Sequence, residues 1–162
     1  MSDRATELRQ QLIRNFNSAA RERFLRAPLY DSMCAGLSDG TAARGLGIAV
    51  DVVAPGARSC PYHFHHAQEE MFIVLDGHGS LRVAGELLPI GPGDVIMIPP
   101  GPDYPHQILN TSDAPLKYLS ISTQERPEVC EYPDSGKLAA FNRGRLLIHR
   151  RADSLDYWDG EA

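Results

Sequence analysis

Between Gly47 and Ser122 the chain breaks into eight short runs: GIAVDVVA, CPYHFH, EMFIVLD, SLRVA, ELLPI, DVIMI, HQILN and LKYLSIS, with turn residues between them. No segment of helical period intervenes. Parallel strands need long crossovers, usually helical, so this spacing predicts an antiparallel sandwich or barrel. With 162 residues and 43% apolar composition the chain can bury one core, leaving short extensions at either side.

The flanks read differently. Leu8, Leu12, Phe16, Ala19 or Ala20, and Phe24 recur at helical spacing behind a possible cap at Ser2 or Asp3, which predicts an amphipathic helix over 3–26. Residues 27–46 read as an irregular connection. After Thr123 comes another irregular stretch, QERPEVCEYPDSGK, and then KLAAF and RLLIHR flank NRG as a predicted hairpin. The expected organisation is therefore an N-terminal helix and arm (1–46), a barrel (47–123) and a C-terminal extension (124–162).

Composition excludes several functions. Lys plus Arg total 16 against 21 Asp plus Glu, and a net charge of −5 does not suit a nucleic-acid partner. No apolar stretch approaches the roughly 20 residues of a membrane span, and MSDRATELRQ lacks the apolar centre of a secretory signal, so a soluble, cytoplasmic protein is expected. Three cysteines without a C-x-x-C pair predict reduced thiols, with neither a disulfide framework nor a thiolate zinc site expected. No phosphate loop or dinucleotide fingerprint occurs, so no organic cofactor is expected.

The chemistry concentrates in CPYHFHHAQEEMFIVLDG, residues 60–77. Alternate residues of a strand share a face, so His63 and His65 point one way and Phe64 the other. Along EMFIVLD the same alternation puts Glu70 with Phe72 and Val74, and Met71, Ile73 and Leu75 opposite. His66 and Glu69 fall out of phase or in the turn, as rim residues. His106 opens HQILN where a barrel mouth would lie. Three imidazoles and a carboxylate suit a first-row divalent ion with positions left for water or substrate. Neutral imidazoles bind metal and protonated ones do not, so affinity should fall below about pH 6 to 6.5.

Other polar residues read as structural. Arg82 should face away from a cavity lined by Leu81 and Val83, and His78 sits in a turn. His149 reads as structural, Trp158 as packing for the tail, and Tyr62, Asp103, Tyr104 and Gln107 as loop or surface residues.

These residues resemble the two motifs of the cupin superfamily, G-x5-H-x-H-x3,4-E-x6-G and G-x5-P-x-G-x2-H-x3-N. The first is met by Gly56, His63, His65, Glu70 and Gly77, with one extra residue ahead of His63; the second by Gly93, Pro99, Gly101, His106 and Asn110, with two extra ahead of His106. The resemblance implies an all-β fold, a double-stranded β-helix or jelly-roll barrel. It also implies a metal centre of His63, His65, Glu70 and His106 for Fe, Mn, Ni or Zn, and a homodimer acting on a small molecule. Dioxygenase-like oxidoreductase chemistry is the first expectation. The alternatives are isomerase, decarboxylase or lyase chemistry, or a metal-bearing binding or sensing module without turnover. No catalytic residue beyond the ligands is indicated.

Overall fold

The computed structural model describes residues 2–142 and 144–161. Helix α1 (Asp3–Leu12) precedes strands β1 (Glu22–Arg26), β2 (Tyr30–Gly36), β3 (Leu46–Val53), β4 (Phe64–His65), β5 (Glu70–Asp76), β6 (Gly79–Val83), β7 (Glu86–Ile90), β8 (Val95–Ile98), β9 (His106–Leu109), β10 (Leu116–Thr123), β11 (Glu128–Tyr132), β12 (Lys137–Asn142) and β13 (Arg145–Arg150). All eight runs expected between residues 47 and 122 contain a strand. No described helix is long and apolar enough to cross a membrane.

One wall of the barrel is the six-stranded sheet β1-β2-β3-β10-β5-β8. The other is made of two ribbons, β13-β12-β11-β4 and β7-β6-β9. Their seam is a backbone pair in which His63 N–H donates to His106 O at 3.1 Å and His106 N–H donates to His63 O at 2.7 Å. Antiparallel pairing within each sheet gives the expected double-stranded β-helix. Between the walls lies a core of Val53, Phe72, Val74, Leu81, Ile90, Ile98, Ile108, Leu116 and Tyr118. Parity on β5 is as expected, with Phe72 and Val74 buried and Met71, Ile73 and Leu75 on the half-buried outer face.

The N-terminal helix is shorter than the sequence predicts: it ends at Leu12, not at residue 26. Ser2 caps it, its Oγ accepting from Ala5 N–H at 3.3 Å, but the helix buries no residue. A helix this short gains little without a packed face. At Asn15 the side chain takes over, its Oδ1 accepting from Asn17 N–H at 2.8 Å, the local competition by which Asn ends helices. Phe16 and Ala19 then pack on Ala35, Leu37 and Val50, while Phe24 lies on β1 beside β2. Part of the expected irregular connection is thus strand.

Downstream, β12 and β13 form the expected hairpin; Arg143 of its NRG turn lies outside the described residues. Trp158 does not pack the tail down. It is exposed and touches Tyr157 edge to face. Large exposed apolar residues lie on β1 (Phe24, Leu25), β8 (Val95, Met97) and β13 (Leu146, Leu147, Ile148).

Two motif glycines have conformational duties. Gly101, at φ 111°, donates its N–H to His65 O at 2.7 Å and so ties the second motif to β4. Gly77 has φ 80°, and a Cβ on it would collide with the Pro115 carbonyl. Gly77→Ala should therefore cost about 1–3 kcal/mol, lowering the thermal midpoint by several degrees. An unchanged midpoint would contradict that turn geometry.

Candidate metal centre

The side chains expected to converge do so, although they come from opposite walls. Glu70 projects from β5 of the six-stranded sheet. His65 on β4, His63 beside it and His106 on β9 project from the other wall. Glu70 Oε2 lies 2.9 Å from His106 Nε2, 3.5 Å from His65 Nε2 and 3.7 Å from His63 Nε2. Four donors about 2.0–2.2 Å from one ion would stand roughly 3–4 Å apart, so these separations fit.

The hydrogen bonds on the far side of each ring fix what faces the centre. His63 Nδ1 lies 2.8 Å from Pro61 O and His106 Nδ1 3.2 Å from Tyr104 O. Carbonyls only accept, so both Nδ1 atoms carry the proton. His65 Nδ1 lies 3.2 Å from Glu128 Oε1, which imposes the same tautomer. In their neutral form all three rings then turn bare Nε2 lone pairs toward a carboxylate oxygen. Glu70 Oε2 and His106 Nε2 are buried, and neither has an aligned hydrogen-bond partner. Such a cluster is costly unless a cation occupies its middle. The residues fit a divalent ion.

The rim assignments hold for His66 and Glu69, both exposed; His66 Nε2 pairs with Glu131 at 3.0 Å. His78 and His149 are also exposed and away from the centre. Arg82 turns outward as expected, pairing with both oxygens of Asp134 and covering the Tyr62 ring at 3.8 Å. Tyr62 and Gln107 are not surface residues. Both are buried, and Gln107 Nε2 donates to Cys60 O at 2.6 Å, bracing the segment that leads into His63.

A strand that the sequence reading left irregular completes the surroundings. β11 pairs with β4, and its alternate residues Glu128, Cys130 and Tyr132 share a face. Glu128 is 1% exposed; besides His65 it accepts from the N–H groups of His66, Ala67 and Gln68, each at 3.0 Å. Cys130 stands directly opposite His65, and the Tyr132 ring stacks 6.1 Å from His63. Polar residues at i, i+2 and i+4 in EVCEY were the available signal. Prolines on both sides obscured it.

Asp51 was also missed, as the one carboxyl inside the apolar run GIAVDVVA. It is buried on β3, where Ser120 Oγ donates to its Oδ2 at 3.0 Å, and burial raises its pKa. Ser120 and Glu70 line one cavity of about 260 Å³, with Ser38, Asp39 and Ser122.

Burial, together with neighbouring His106, pushes the His63 imidazole down to about 4. Burial tends to raise Glu70, but the facing imidazoles more than offset it and hold its pKa low. Between pH 6.5 and about 4 the unfolded chain therefore takes up a proton at His63 that the folded chain refuses. Stability of metal-free protein should fall as pH drops through that window, by on the order of 3 kcal/mol for a shift of this size. Glu70 acts in the same direction, because its lowered pKa adds stability that is lost as pH falls through the carboxylate range. Urea unfolding of stripped protein at pH 7, 5 and 4 tests this. A flat profile would contradict it.

Comparison with known proteins agrees with the fold. Residues 49–122 match the Cupin domain family. An uncharacterized protein of Methanocaldococcus jannaschii is 33% identical over 72 residues, 44% of this chain and 56% of that protein, so the match spans little more than half of the relative's length. A candidate sugar phosphate isomerase from Acidithiobacillus ferrooxidans superposes with TM-score 0.81 at 28% identity, covering 91% of this chain and 97% of that one. A polyketide cyclase from Streptomyces resistomycificus superposes with TM-score 0.60 at 26% identity, covering 71% and 80%. A predicted oxalate decarboxylase from Thermotoga maritima, at 24% identity and TM-score 0.62, covers 70% and 100% and shares the fold. With the motif residues gathered inside a double-stranded β-helix and residues 49–122 matching the family, this part of the chain is a cupin domain.

Proposed function

We propose that His63, His65, Glu70 and His106 hold a divalent first-row ion and that the protein is a metal-dependent enzyme acting on an oxygen-bearing small molecule. Isomerisation of a phosphorylated sugar is the favoured reaction. The observation that carries the metal reading is the pair of buried, unpartnered atoms, Glu70 Oε2 and His106 Nε2, among imidazoles whose protons point away. An ion of the Fe, Mn, Ni or Zn kind would act as a Lewis acid toward a carbonyl or hydroxyl oxygen.

The chain's own residues suit such a substrate. Hydroxyls of Ser38, Ser120 and Ser122 and the Asp39 carboxylate line the cavity beside Glu70, offering donors and acceptors to a polyhydroxylated molecule. Isomerisation moves a proton between neighbouring carbons and needs a group that takes and returns it. Asp51 reaches that cavity through the Ser120 hydroxyl, and its raised pKa eases proton uptake. Dioxygenase chemistry, first in the sequence reading, gives way because the candidate isomerase is similar over nearly the whole chain, both arms included.

The test is turnover under nitrogen. Metal-loaded protein incubated with aldose and ketose phosphates should interconvert a pair of them, and stripped protein should not. Oxygen-dependent consumption without isomerisation would restore the oxidoreductase reading; binding without turnover would make the protein a binding module. The reading includes a homodimer, for which the exposed apolar residues of β1 and β13 offer surface, and sedimentation should give the mass of two chains.

A further inference from the structure

Cys130 lies outside the matched domain and outside the expected ligand set, yet it faces the centre. Its sulfur and the ring nitrogens of His63 and His65 all lie within 4.8 Å of one another. The placement follows from register: Cys130 is the direct cross-strand partner of His65 on the β4–β11 pair, so both side chains stand on the inner face. A buried cysteine is often a small apolar filler. That role would fit an apolar face, but this one carries Glu128, His65 and Tyr132, with Cys130 2% exposed among them. A second observation points to an ion beside it: His106 Nε2, on a residue 1% exposed, is unpartnered and belongs to the adjoining His63–Glu70–His106 group, which shares His63 with the Cys130 group.

We propose that Cys130 is a further ligand of this centre, its thiolate binding the ion on the His63–His65 side and biasing the site toward thiophilic ions such as zinc or cobalt over manganese. The inference rests on the metal-centre reading above and deepens it. On binding, the S–H bond of Cys130 breaks, a sulfur–metal bond forms, and the proton passes to buffer with no change in oxidation state. A sulfur donor added to imidazoles and a carboxylate moves the set toward the softer end of the first-row divalent ions. Strand β11 would then supply both the carboxylate that orients His65 and a donor to the ion.

Cobalt(II) titration of the full, metal-stripped chain tests this. Wild-type protein should bind one cobalt per chain and develop a near-ultraviolet sulfur-to-cobalt charge-transfer band. Cys130→Ser should bind cobalt without the band, whereas Cys60→Ser and Cys34→Ser should keep it. Cys130→Ser should also lose zinc affinity by on the order of tenfold or more, as ligand loss costs at least as much as loss of an outer-shell partner, with a smaller loss for manganese. Should Cys130→Ser fail to fold, X-ray absorption of zinc-loaded wild type decides: a sulfur shell at about 2.3 Å is expected. Cobalt bound without the band, a band that survives in Cys130→Ser, or a zinc shell of nitrogen and oxygen alone would overturn the inference while leaving the metal centre standing. No cobalt bound at all would overturn both.

Discussion

Glu128→Ala should unfold the protein far more readily than any surface change and should disable the metal centre as well. Its carboxylate accepts three backbone N–H groups from residues 66–68 and one imidazole N–H from His65, at 3.0–3.2 Å. Truncation strands four donors around a residue that is 1% exposed. Removing one partner from a buried charged network costs about 3–5 kcal/mol, equivalent to a fall in thermal midpoint of roughly 10 °C for a chain of this size. The His65 ring then loses the contact that fixes its tautomer, which should lower metal affinity by about ten- to a hundredfold. Glu128→Gln should retain only part of this, since an amide offers one acceptor oxygen and turns an NH2 group toward backbone N–H groups. Thermal unfolding and metal titration of the two variants measure both effects. Near wild-type stability in Glu128→Ala would remove β11 from the architecture of the site.

Replacing a proposed ligand should separate metal binding from folding. His106→Ala removes a nitrogen and a fully buried ring packed on Phe72, so it should lose metal binding and stability together. Glu70→Gln behaves differently. Its amide keeps the shape of the side chain but not the charge that the facing imidazoles favour, so metal-free Glu70→Gln should fold and be modestly less stable than metal-free wild type. What it should lose is the gain on adding metal, about 4 kcal/mol for wild type at a metal concentration a thousandfold above Kd. Differential scanning calorimetry with and without metal reads this pattern directly. A Glu70→Gln variant stabilised by metal as much as wild type would contradict the ligand role.

The fold was legible where local rules sufficed. Alternation in EMFIVLD placed Glu70 with Phe72 and Val74, and alternation in HFH paired His63 with His65, because a strand's two-residue period needs no tertiary information. The pairing of those strands was not legible. In the structure β5 pairs with β8 and β10, and the imidazoles approach from the opposite wall. The N-terminal pattern failed for a related reason: Phe16 and Phe24 keep helical spacing, but one packs in a turn and the other in a strand, because α1 has no face to bury them against. Glu128 and Cys130 were invisible because their meaning depends on His65, more than sixty residues earlier. Tyr62 and Gln107 were misjudged as surface residues because proximity to glycine and proline signals a loop, whereas their burial is set by Arg82 and by the Cys60 carbonyl.

The convergence of side chains from both walls on one ion is tested most directly by anomalous diffraction from crystals of zinc-loaded protein. The expected result is one peak per chain about 2.0–2.2 Å from Nε2 of His63, His65 and His106 and from a Glu70 carboxylate oxygen. A loaded crystal with no peak at that point, or with its zinc held elsewhere, would contradict the four-ligand centre.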